Sequence, residues 1–296
     1  MRLVYDENKI KKAIKRWGYA PEHNYHHYKN QETKHKENVF ISFKNEMGVL
    51  AQKSEKRIWR VYSSILAPKN KQLDLFLGFI DYIFTKKKAK KVIVEFREDF
   101  REKVLKRLKN SNYRGCKLNY VLYWPIFNMK KWDSRLKGKD WKKIRNLRNR
   151  LYRHHKVEIK HPNEVSKAEL KNVVMEWVKQ RNGSDRTLYQ QYLNLIKNNF
   201  DGCDIANTIV IDGKPCSITA GWKIPNSSNY YSAIGILNYR YDGLGEFSNL
   251  YDLIRLKKEG YRYVNFGGSE ENLLEFKKKF RPESYYKTFI FSIVKK

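Results

Sequence analysis

Residues 229–282 read NYYSAIGILNYRYDGLGEFSNLYDLIRLKKEGYRYVNFGGSEENLLEFKKKFRP and predict a strand, a turn, a helix, a second strand and a second helix. The first strand, 230–237, leads into a turn that contains Arg240, Gly243 and Gly245. The helix after this turn is predicted from apolar residues at i, i+3, i+4 and i+7 spacing, which are Phe247, Leu250, Tyr251 and Ile254. Glycines at the start of a helix are typical of loops that bind phosphate groups.

The second half of this stretch continues the same alternation. Gly260 is predicted to end the first helix, and a β-type run at 261–266 follows it directly. A Gly-Gly turn then leads to the second helix. Its apolar residues are Leu273, Leu274, Phe276 and Phe280. The pattern indicates an α/β arrangement in which helices alternate with strands.

Three segments resemble one group of known enzymes. The strand, Arg-x-x-Gly-x-Gly and helix resemble the acyl-donor loop of the GNAT superfamily of N-acetyltransferases, and VNFGGSEENLLEFKKKF (264–280) resembles the late segment of its Fem-type branch. That branch includes peptidoglycan aminoacyltransferases and the catalytic domain of phosphatidylglycerol lysyltransferases. LKGKDWKKIRNLRNRLYR (136–153) resembles the basic helix that joins two acetyltransferase-like lobes in relatives of the lysyltransferase domain. The resemblance by motif covers about residues 130–296.

The resemblance implies an acyltransferase with identifiable site residues. Phe276 and Lys277 occupy the Phe-Lys position of the Fem-type motif, where the Lys cation stabilises the tetrahedral oxyanion and the leaving group. The implied donor-binding residues are Ile236, Leu237, Arg240, Gly243, Gly245, Asn265, Gly267 and Gly268. A solvated lysine run and ordinary turn glycines are the competing explanations. Candidates for a general base are Glu246, Tyr285, Asp242 and Glu270, and substrate-assisted proton transfer would make a base unnecessary.

The charge of the chain points to a polyanionic partner. There are 62 Lys and Arg against 31 Asp and Glu, which gives a formal net charge of +31. Such a balance favours tRNA or another nucleic acid, or an anionic membrane surface, whereas a Lys-rich genome or thermophilic composition would explain it without a partner. Three dispersed cysteines and the lack of a signal-peptide-like apolar run lead us to expect a cytoplasmic protein.

Four histidines occur close together near the N-terminus, namely His23, His26, His27 and His35. No Cys or Asp stands beside them at the spacing of metal ligands, so we expect a polar surface loop and no metal site. We also expect no tightly bound cofactor, with aminoacyl-tRNA or acyl-CoA acting as co-substrate.

The order of elements recurs in the first half of the chain. The predicted strand 91–96 corresponds to 261–266, and the helices near Leu73 and Phe247 correspond as well. We therefore predict two tandem acetyltransferase-like lobes, each a mixed twisted sheet flanked by helices, at 1–129 and 157–296. The first lobe has Ala67-Pro68-Lys69-Asn70 where the second has its glycine turn, so its donor loop is predicted to be lost. We expect the first lobe to be a scaffold or an acceptor platform.

The segment 130–156 between the lobes is the most basic part of the chain. Trp141, Ile144, Leu147 and Leu151 form an apolar seam at near-helical spacing, so one face of a connector helix is predicted to pack. The cations predicted to contact nucleic acid are Lys139, Lys142, Lys143, Arg145, Arg148, Arg150 and Arg153. A connector helix surrounded by solvent is the alternative explanation.

The sequence leaves three functions open. The one we favour is transfer of an aminoacyl group from charged tRNA to an amine or hydroxyl acceptor. An acyl-CoA-dependent N-acetyltransferase is the first alternative, because Arg-x-x-Gly-x-Gly is retained. A non-catalytic nucleic-acid-binding protein on the same scaffold is the second.

Overall fold

The computed structural model describes residues 1–181 and 188–296, with the side chains of residues 62–64 excepted. In the first half of the chain the elements, in order, are β1 (Arg2–Val4), α1 (Glu7–Trp17), α2 (Tyr25–Asn30), β2 (Lys36–Ser42), β3 (Gly48–Ser54), β4 (Ile58–Leu66), α3 (Lys69–Thr85), β5 (Lys91–Phe96), α4 (Glu98–Lys109) and β6 (Tyr113–Asn128).

The second half begins with a loop and a short 3-10 turn, Lys139–Trp141, before its first helix. Its elements are α5 (Lys142–His154), β7 (Val157–Lys160), α6 (Lys167–Gln180), α7 (Gln190–Lys197), β8 (Ile205–Ile211), β9 (Lys214–Lys223), β10 (Tyr230–Leu237), α8 (Leu244–Lys258), β11 (Tyr263–Asn265), α9 (Glu271–Lys278) and β12 (Ser284–Lys295). The predicted strand 230–237 therefore has the expected bounds, whereas the predicted strand 261–266 is shorter.

The twelve strands found in residues 1–181 and 188–296 form one sheet in the order β1-β2-β3-β4-β5-β12-β6-β11-β10-β9-β8-β7. From either edge inward, the order of strands is the same. Four strands are followed by a short fifth strand, which is parallel to the fourth, and then by a long central strand. The pairs β4–β5 and β10–β11 are both parallel and occupy equivalent positions. The sheet is thus continuous and internally pseudo-symmetric, with the antiparallel pair β6–β12 at its centre.

The two central strands are exchanged between the halves of the chain. β12, from the C-terminal half, pairs with β5, and β6, from the N-terminal half, pairs with β11. We call β1–β5 with β12 the first lobe and β7–β11 with β6 the second lobe. The sequence prediction of 1–129 and 157–296 assigned each central strand to its own half and did not anticipate this exchange.

Separate apolar cores lie under the two lobes. In the first lobe, α3 packs Phe76, Phe79 and Ile80 against strands of that lobe. Leu108 of α4 and Phe291 of β12 belong to the same core. In the second lobe, α6 and α7 pack around Trp177 and Trp222. Helix α8 covers the other side with Leu250, Leu253 and Leu256, while Tyr251 and Ile254 of the predicted face are only partly buried.

The connector segment packs through its predicted seam. Trp141, Ile144 and Leu151 are buried, and Leu147 lies against Gly243 at the start of α8. The helix covers residues 142–154, so it is shorter than the predicted segment 130–156. Among the described residues, no helix combines the length and the apolar character needed to cross a bilayer.

Candidate active site

A gap opens in the second lobe where β10 and β11 separate. The two parallel strands pair only at Tyr230 with Val264 and at Tyr231 with Asn265. A bulge between Ser232 and Ile234 then changes the register of β10 against β9. Bulges redirect side chains and end strand pairing, and they are common beside active sites. The ends of these strands therefore frame the candidate active site.

Asn265 fixes the turn at the end of β11. Its side chain is buried, where Oδ1 accepts a hydrogen bond from the Gly267 N–H at 2.8 Å and Nδ2 donates to the Tyr286 hydroxyl at 2.9 Å. Gly267 has φ of +76°, a conformation that favours glycine. A Cβ on Gly268 would lie 2.9 Å from Leu122 Cδ1 and 3.0 Å from the Trp124 ring. Both glycines thus have a structural reason to be glycine.

Lys277 points back from α9 towards this turn. Its Nζ donates hydrogen bonds to the carbonyl oxygens of Phe266 and Gly267, the latter at 3.3 Å. Burial lowers the pKa of the Lys277 ammonium to about 7, although carbonyl acceptors favour the charged form. Because an ammonium has three N–H groups, two bonds to the backbone leave one donor for a substrate oxygen.

Phe276 and Glu246 hold α9 against α8. A Cβ on Gly245 would lie 3.1 Å from Phe276 Cζ, so glycine at this position allows the ring to approach the backbone. Glu246 forms an ion pair with Lys279 at 2.8 Å, and its side chain is only 12% exposed. Glu246 therefore joins the two helices in this structure, which is a positioning contact rather than one with a reacting atom.

Tyr285, the other proposed catalytic side chain, is 43% exposed on β12. Successive residues of a strand face opposite sides of the sheet, so Tyr285 points away from the side occupied by Tyr286. Tyr286 is the tyrosine that contacts Asn265. The sequence prediction chose Tyr285 and missed Tyr286. The two tyrosines are adjacent in sequence, and only the strand register shows which of them faces Asn265.

The proposed donor loop packs against neighbouring helices. Gly243 has φ of +82° at the start of α8, and its Cβ position is 3.3 Å from Leu147 of α5. Asp242 forms an ion pair with Arg150, and Arg240 forms one with Glu176 at 3.1 Å. These contacts tie the loop to α5 and α6. The two glycines are explained by backbone conformation and packing without a bound pyrophosphate.

The two remaining proposed donor-binding residues differ in exposure. Ile236 is buried in the core under α6 and α7, and Leu237 is partly buried, with its Cδ1 only 3.2 Å from the Cβ position of Gly245. Ile236 thus contributes to packing, whereas Leu237 lies at the start of the donor loop.

The cations of α5 fall into two groups. Arg145 donates to the carbonyl oxygens of Leu136 and Gly138 and so holds the preceding turn. Arg148 is partly buried against Asn149, and Arg150 pairs with Asp242. The other predicted nucleic-acid contacts are exposed to solvent, namely Lys139, Lys142, Lys143 and Arg153. An open groove of about 450 Å³ runs along the helix, lined by Lys139, Asp140, Lys142, Lys143, Asn146, Leu147 and Arg150.

A network of side chains crosses the central strands from one lobe to the other. Tyr286 stacks on Trp124 with ring centroids 5.5 Å apart and planes 7° apart. Trp124 Nε1 donates to Thr288 Oγ1 at 2.8 Å, and Thr288 Oγ1 donates to Glu95 Oε1 at 2.7 Å. Asn265 and Glu95, which lie near the ends of the equivalent strands β11 and β5, are therefore connected through β6 and β12.

Glu95 belongs to a charged group that the sequence analysis did not find. Burial and, to a smaller extent, the Glu95 carboxylate raise the pKa of the Glu22 carboxyl to about 8, against the opposing effect of Arg60. Burial also raises the pKa of Glu95. The three residues are remote in sequence and come from the α1–α2 loop, β5 and β4, so no spacing pattern could have revealed them. Among the described residues, no group of His, Cys, Asp and Glu is arranged to hold a metal ion.

Several solved structures share this fold, and L-PGS, FemX and a tandem GNAT protein are three of them. L-PGS from Bacillus licheniformis has a TM-score of 0.67 at 14% identity, covering 98% of this chain and 92% of that chain. FemX has a TM-score of 0.60 at 13% identity, covering 98% and 97%. A tandem GNAT protein from the clavulanic acid biosynthesis pathway has a TM-score of 0.58 at 9% identity, covering 99% and 98%. The predicted GNAT-like fold with two tandem lobes is confirmed.

No curated protein matches the sequence. Residues 125–291, however, match the family described as phosphatidylglycerol lysyltransferase, C-terminal. The matched segment begins in β6 and ends in β12, so it includes the connector, the donor loop, Asn265 and Lys277. It also spans more than half of the chain, and the protein therefore belongs to the phosphatidylglycerol lysyltransferase C-terminal family.

Proposed function

We propose that this protein transfers an aminoacyl group from charged tRNA to an amine or hydroxyl acceptor and that it acts in the cytoplasm. Its family and its Fem-like fold support an acyltransferase that uses a co-substrate rather than a tightly bound cofactor. The observation that carries the tRNA donor is the basic groove on α5, because this groove adjoins the donor loop.

The groove fits a phosphate backbone better than a single small anion. Lys139 lies in the 3-10 turn before α5, Lys142 and Lys143 lie in the first turn of α5, and Arg150 lies near the end of the helix. Because the rise of an α-helix is about 1.5 Å per residue, the eight residue steps of α5 from Lys142 to Arg150 extend over about 12 Å, which exceeds the size of one phosphate. Leu147, which also lines the groove, contacts Gly243. A nucleic-acid strand bound in the groove would therefore reach the start of α8.

Lys277 supplies the chemistry of the proposed reaction. An acceptor amine or hydroxyl attacks the ester carbonyl of the aminoacyl group, and negative charge develops first on the carbonyl oxygen and then on the leaving ribose oxygen. A cation with one free donor, fixed by the carbonyls of Phe266 and Gly267, stabilises both charges without reorganising. The attacking amine or hydroxyl loses a proton as its bond to the acyl carbon forms, and the leaving ribose oxygen takes up that proton as its own bond to the acyl carbon breaks.

The test compares two triple variants of equal charge change. Lys139→Glu/Lys142→Glu/Lys143→Glu removes the exposed cations of the groove but leaves Arg145 and Arg150 in their structural contacts. The matched control, Lys103→Glu/Lys106→Glu/Lys109→Glu, changes exposed residues of α4 in the first lobe. Fluorescence anisotropy with tRNA measures the affinity of each protein at several salt concentrations.

We expect the groove variant to bind tRNA at least about tenfold more weakly than the control variant. Its log-log salt slope should also be shallower, because each phosphate contact on duplex contributes about −0.9 to that slope. If both variants lose the same affinity for tRNA, only the net charge of the protein determines binding. If neither variant loses affinity, the result contradicts a tRNA donor.

An acyl-CoA donor is the second candidate, and one observation favours it. Arg-x-x-Gly-x-Gly lies at the N-terminus of α8 with Gly243 in a left-handed conformation, as a pyrophosphate cradle requires. Against it, both glycines have packing reasons, and the Asp242 carboxylate beside the loop already pairs with Arg150, a cation that a phosphate would need. Micromolar binding of CoA that Gly243→Val abolishes, without tRNA binding at physiological salt, would make acyl-CoA the donor.

Two further alternatives concern the basic surface itself. A non-catalytic protein on this scaffold would bind tRNA but transfer no aminoacyl group. Neither the unmodified protein nor Lys277→Ala would then show acyl transfer. An anionic membrane surface would compete with tRNA for the groove. Binding of the groove variant and its control to vesicles with anionic lipid separates this use of the cations from tRNA binding.

A further inference from the structure

The loop between α3 and β5 carries a second group of cations, in the first lobe. Its residues 86–90 read KKKAK. The loop lies against the turn between β3 and β4, because the Lys90 N–H donates a hydrogen bond to the Arg57 carbonyl oxygen at 2.9 Å. Five side chains of this loop and this turn are exposed to solvent, namely Lys56, Arg57, Lys86, Lys88 and Lys90. We call these five residues the first-lobe basic cluster.

The charge of the cluster is not neutralised by the protein. Within the part of the chain that the structure describes, no acidic residue forms an ion pair with any of the five cations. Glu55, in the same turn, pairs instead with His35 at 3.1 Å. Lys87 belongs to the loop but lies over the Tyr82 ring, 5.7 Å from its centroid. Because like charges held this close repel each other, the cluster favours the approach of an anion.

The equivalent loop of the second lobe is built without a run of lysines. Residues 259–262, between α8 and β11, read EGYR. The Arg262 N–H donates to the carbonyl oxygen of Ser228, in the turn between β9 and β10, at 3.0 Å. Both loops are thus held to the preceding turn by the same backbone hydrogen bond. Four lysines in five residues are therefore not a requirement of the fold.

Lys88 occupies a backbone position that favours glycine. It lies two residues before the N–H donor of its loop and has φ of +49°. Gly260 lies two residues before Arg262 in the second lobe and has φ of +83°. A side chain is strained in this left-handed conformation, whereas glycine is not. The turn therefore does not account for a lysine here, and its charge is the property that remains.

The cluster and the active site face the same end of the sheet. β5 is antiparallel to β12, β12 to β6, and β6 to β11, so the beginning of β5 and the end of β11 point in the same direction. Asn265 at the end of β11 faces Ile126 of β6. At the beginning of β5, Val92 faces Ile293, which in turn faces Gly115 of β6. The eleven residue steps of β6 between Gly115 and Ile126 correspond to about 36 Å at the usual rise of a strand.

We propose that the first-lobe basic cluster binds the sugar-phosphate backbone of the donor tRNA, roughly ten nucleotides or more from the 3′ end that enters the active site. The inference rests on the proposed tRNA donor and extends its binding surface from the α5 groove into the first lobe. The number of nucleotides follows from the separation of about 36 Å and a rise of about 3.4 Å per nucleotide in a stacked strand. Contacts with phosphates position a nucleic acid without reading its bases, so the cluster accepts tRNAs of different sequence.

A nucleic acid fits the cluster better than an anionic bilayer does. Proteins that bind at a bilayer surface combine cations with apolar side chains that enter the headgroup region. The exposed large apolar side chains of the described residues include Leu118, Tyr152 and Tyr239, but none comes from the loop 86–90 or from the turn between β3 and β4. The cluster thus offers charge alone, which suits a phosphate backbone.

The test reverses the charge of the loop and maps the backbone of the bound tRNA. The loop variant is Lys86→Glu/Lys88→Glu/Lys90→Glu. The matched control, with the same charge change in the same lobe, is Lys103→Glu/Lys106→Glu/Lys109→Glu on α4. A second variant, Lys86→Gln/Lys88→Gln/Lys90→Gln, removes the charges without adding acidic groups. Fluorescence anisotropy measures tRNA affinity, and hydroxyl-radical footprinting shows which backbone positions each protein covers.

We expect the loop variant to bind tRNA at least about tenfold more weakly than the control variant, and the Gln variant to lose less affinity. In the footprint of the loop variant, protection should disappear at positions roughly ten nucleotides or more from the 3′ end and should remain nearer to that end. The groove variant Lys139→Glu/Lys142→Glu/Lys143→Glu should instead lose protection near the 3′ end.

Three results would overturn the inference. The loop variant could bind tRNA as tightly as the control variant, it could lose protection only near the 3′ end, or it could keep its tRNA affinity but no longer bind vesicles with anionic lipid. The last result would identify a membrane as the partner of the cluster. Each of them leaves the tRNA donor intact if the groove variant still binds tRNA more weakly than the control. Absence of tRNA binding by the unmodified protein would disprove the donor proposal itself.

Discussion

The ammonium group of Lys277 has different contacts from those of the two lysines that follow it. Lys278 pairs with Glu275 on the exposed side of α9, and Lys279 pairs with Glu246. Lys277 alone among the three reaches the carbonyls of Phe266 and Gly267. The motif selected Lys277 as the candidate among three consecutive lysines, and the helix phase of α9 gives Lys277 backbone contacts that the other two do not make.

Lys277→Ala is expected to lower turnover by roughly 10²-fold, the usual scale for the loss of one preorganised donor to an oxyanion. Lys278→Ala, which removes an exposed pair, should have little effect. Steady-state rates of acyl transfer with both variants give the comparison, and circular dichroism shows whether each is folded. Similar losses in the two variants would mean that the lysines act only through bulk charge.

The lowered pKa of Lys277 also predicts how stability depends on pH. The folded-state pKa is about 7 and the ordinary value is 10.5, so between these limits the unfolded chain binds more protons than the folded one. The unmodified protein should therefore gain stability relative to Lys277→Met as pH rises from about 7 to 10.5. Denaturant titrations of both proteins across this window measure the difference. A constant or falling difference would show that the ammonium is not destabilised by burial.

At the scale of elements, the strand-turn-helix order near the site could be predicted, but its packing could not. The pattern of apolar residues and the positions of glycines predicted β10, α8 and α9 close to their observed bounds. Gly268, by contrast, must be glycine because Trp124 of β6 lies against it, and Trp124 is 144 residues away in sequence. Glu22, Glu95 and Tyr286 were missed for the same reason, since only the register of the central strands brings them together.

Gly268→Ala tests this packing directly. Its new Cβ would lie 2.9 Å from Leu122 and 3.0 Å from Trp124, so we expect a loss of about 1–3 kcal/mol in the free energy of unfolding. Gly235→Ala on β10 is the control, because no atom lies within 4 Å of its Cβ position. Chemical denaturation of both variants gives the two values. If they lose equal stability, close packing at the β11 turn is not the reason for the glycine.

For the whole molecule, strand exchange makes the lobes depend on each other. Phe291 is near the C-terminus but is buried in the core of the first lobe, where its ring centroid is 6.2 Å from that of Phe96. The repeat of elements along the sequence predicted two lobes. It could not reveal the exchange, because β6 and β12 have the same place in their repeats whichever lobe they join.

Phe291→Ala should lower the free energy of unfolding by about 3–5 kcal/mol and should destabilise both lobes together. Hydrogen exchange monitored in β3 of the first lobe and β9 of the second should show a similar loss of protection. Phe289→Ala, on the same strand but only partly buried, should cost less. Loss of protection confined to one lobe would show that the lobes unfold independently.

The central claim is that an aminoacyl group moves from charged tRNA through a site containing Lys277. The most direct measurement follows a labelled aminoacyl group on tRNA in the presence of phosphatidylglycerol vesicles, diamines or peptides, with labelled acetyl-CoA assayed in parallel. We predict that the unmodified protein transfers label from tRNA to one of these acceptors, that Lys277→Ala does so roughly 10²-fold more slowly, and that acetyl-CoA donates nothing. Transfer from acetyl-CoA with no transfer from any charged tRNA would contradict the account.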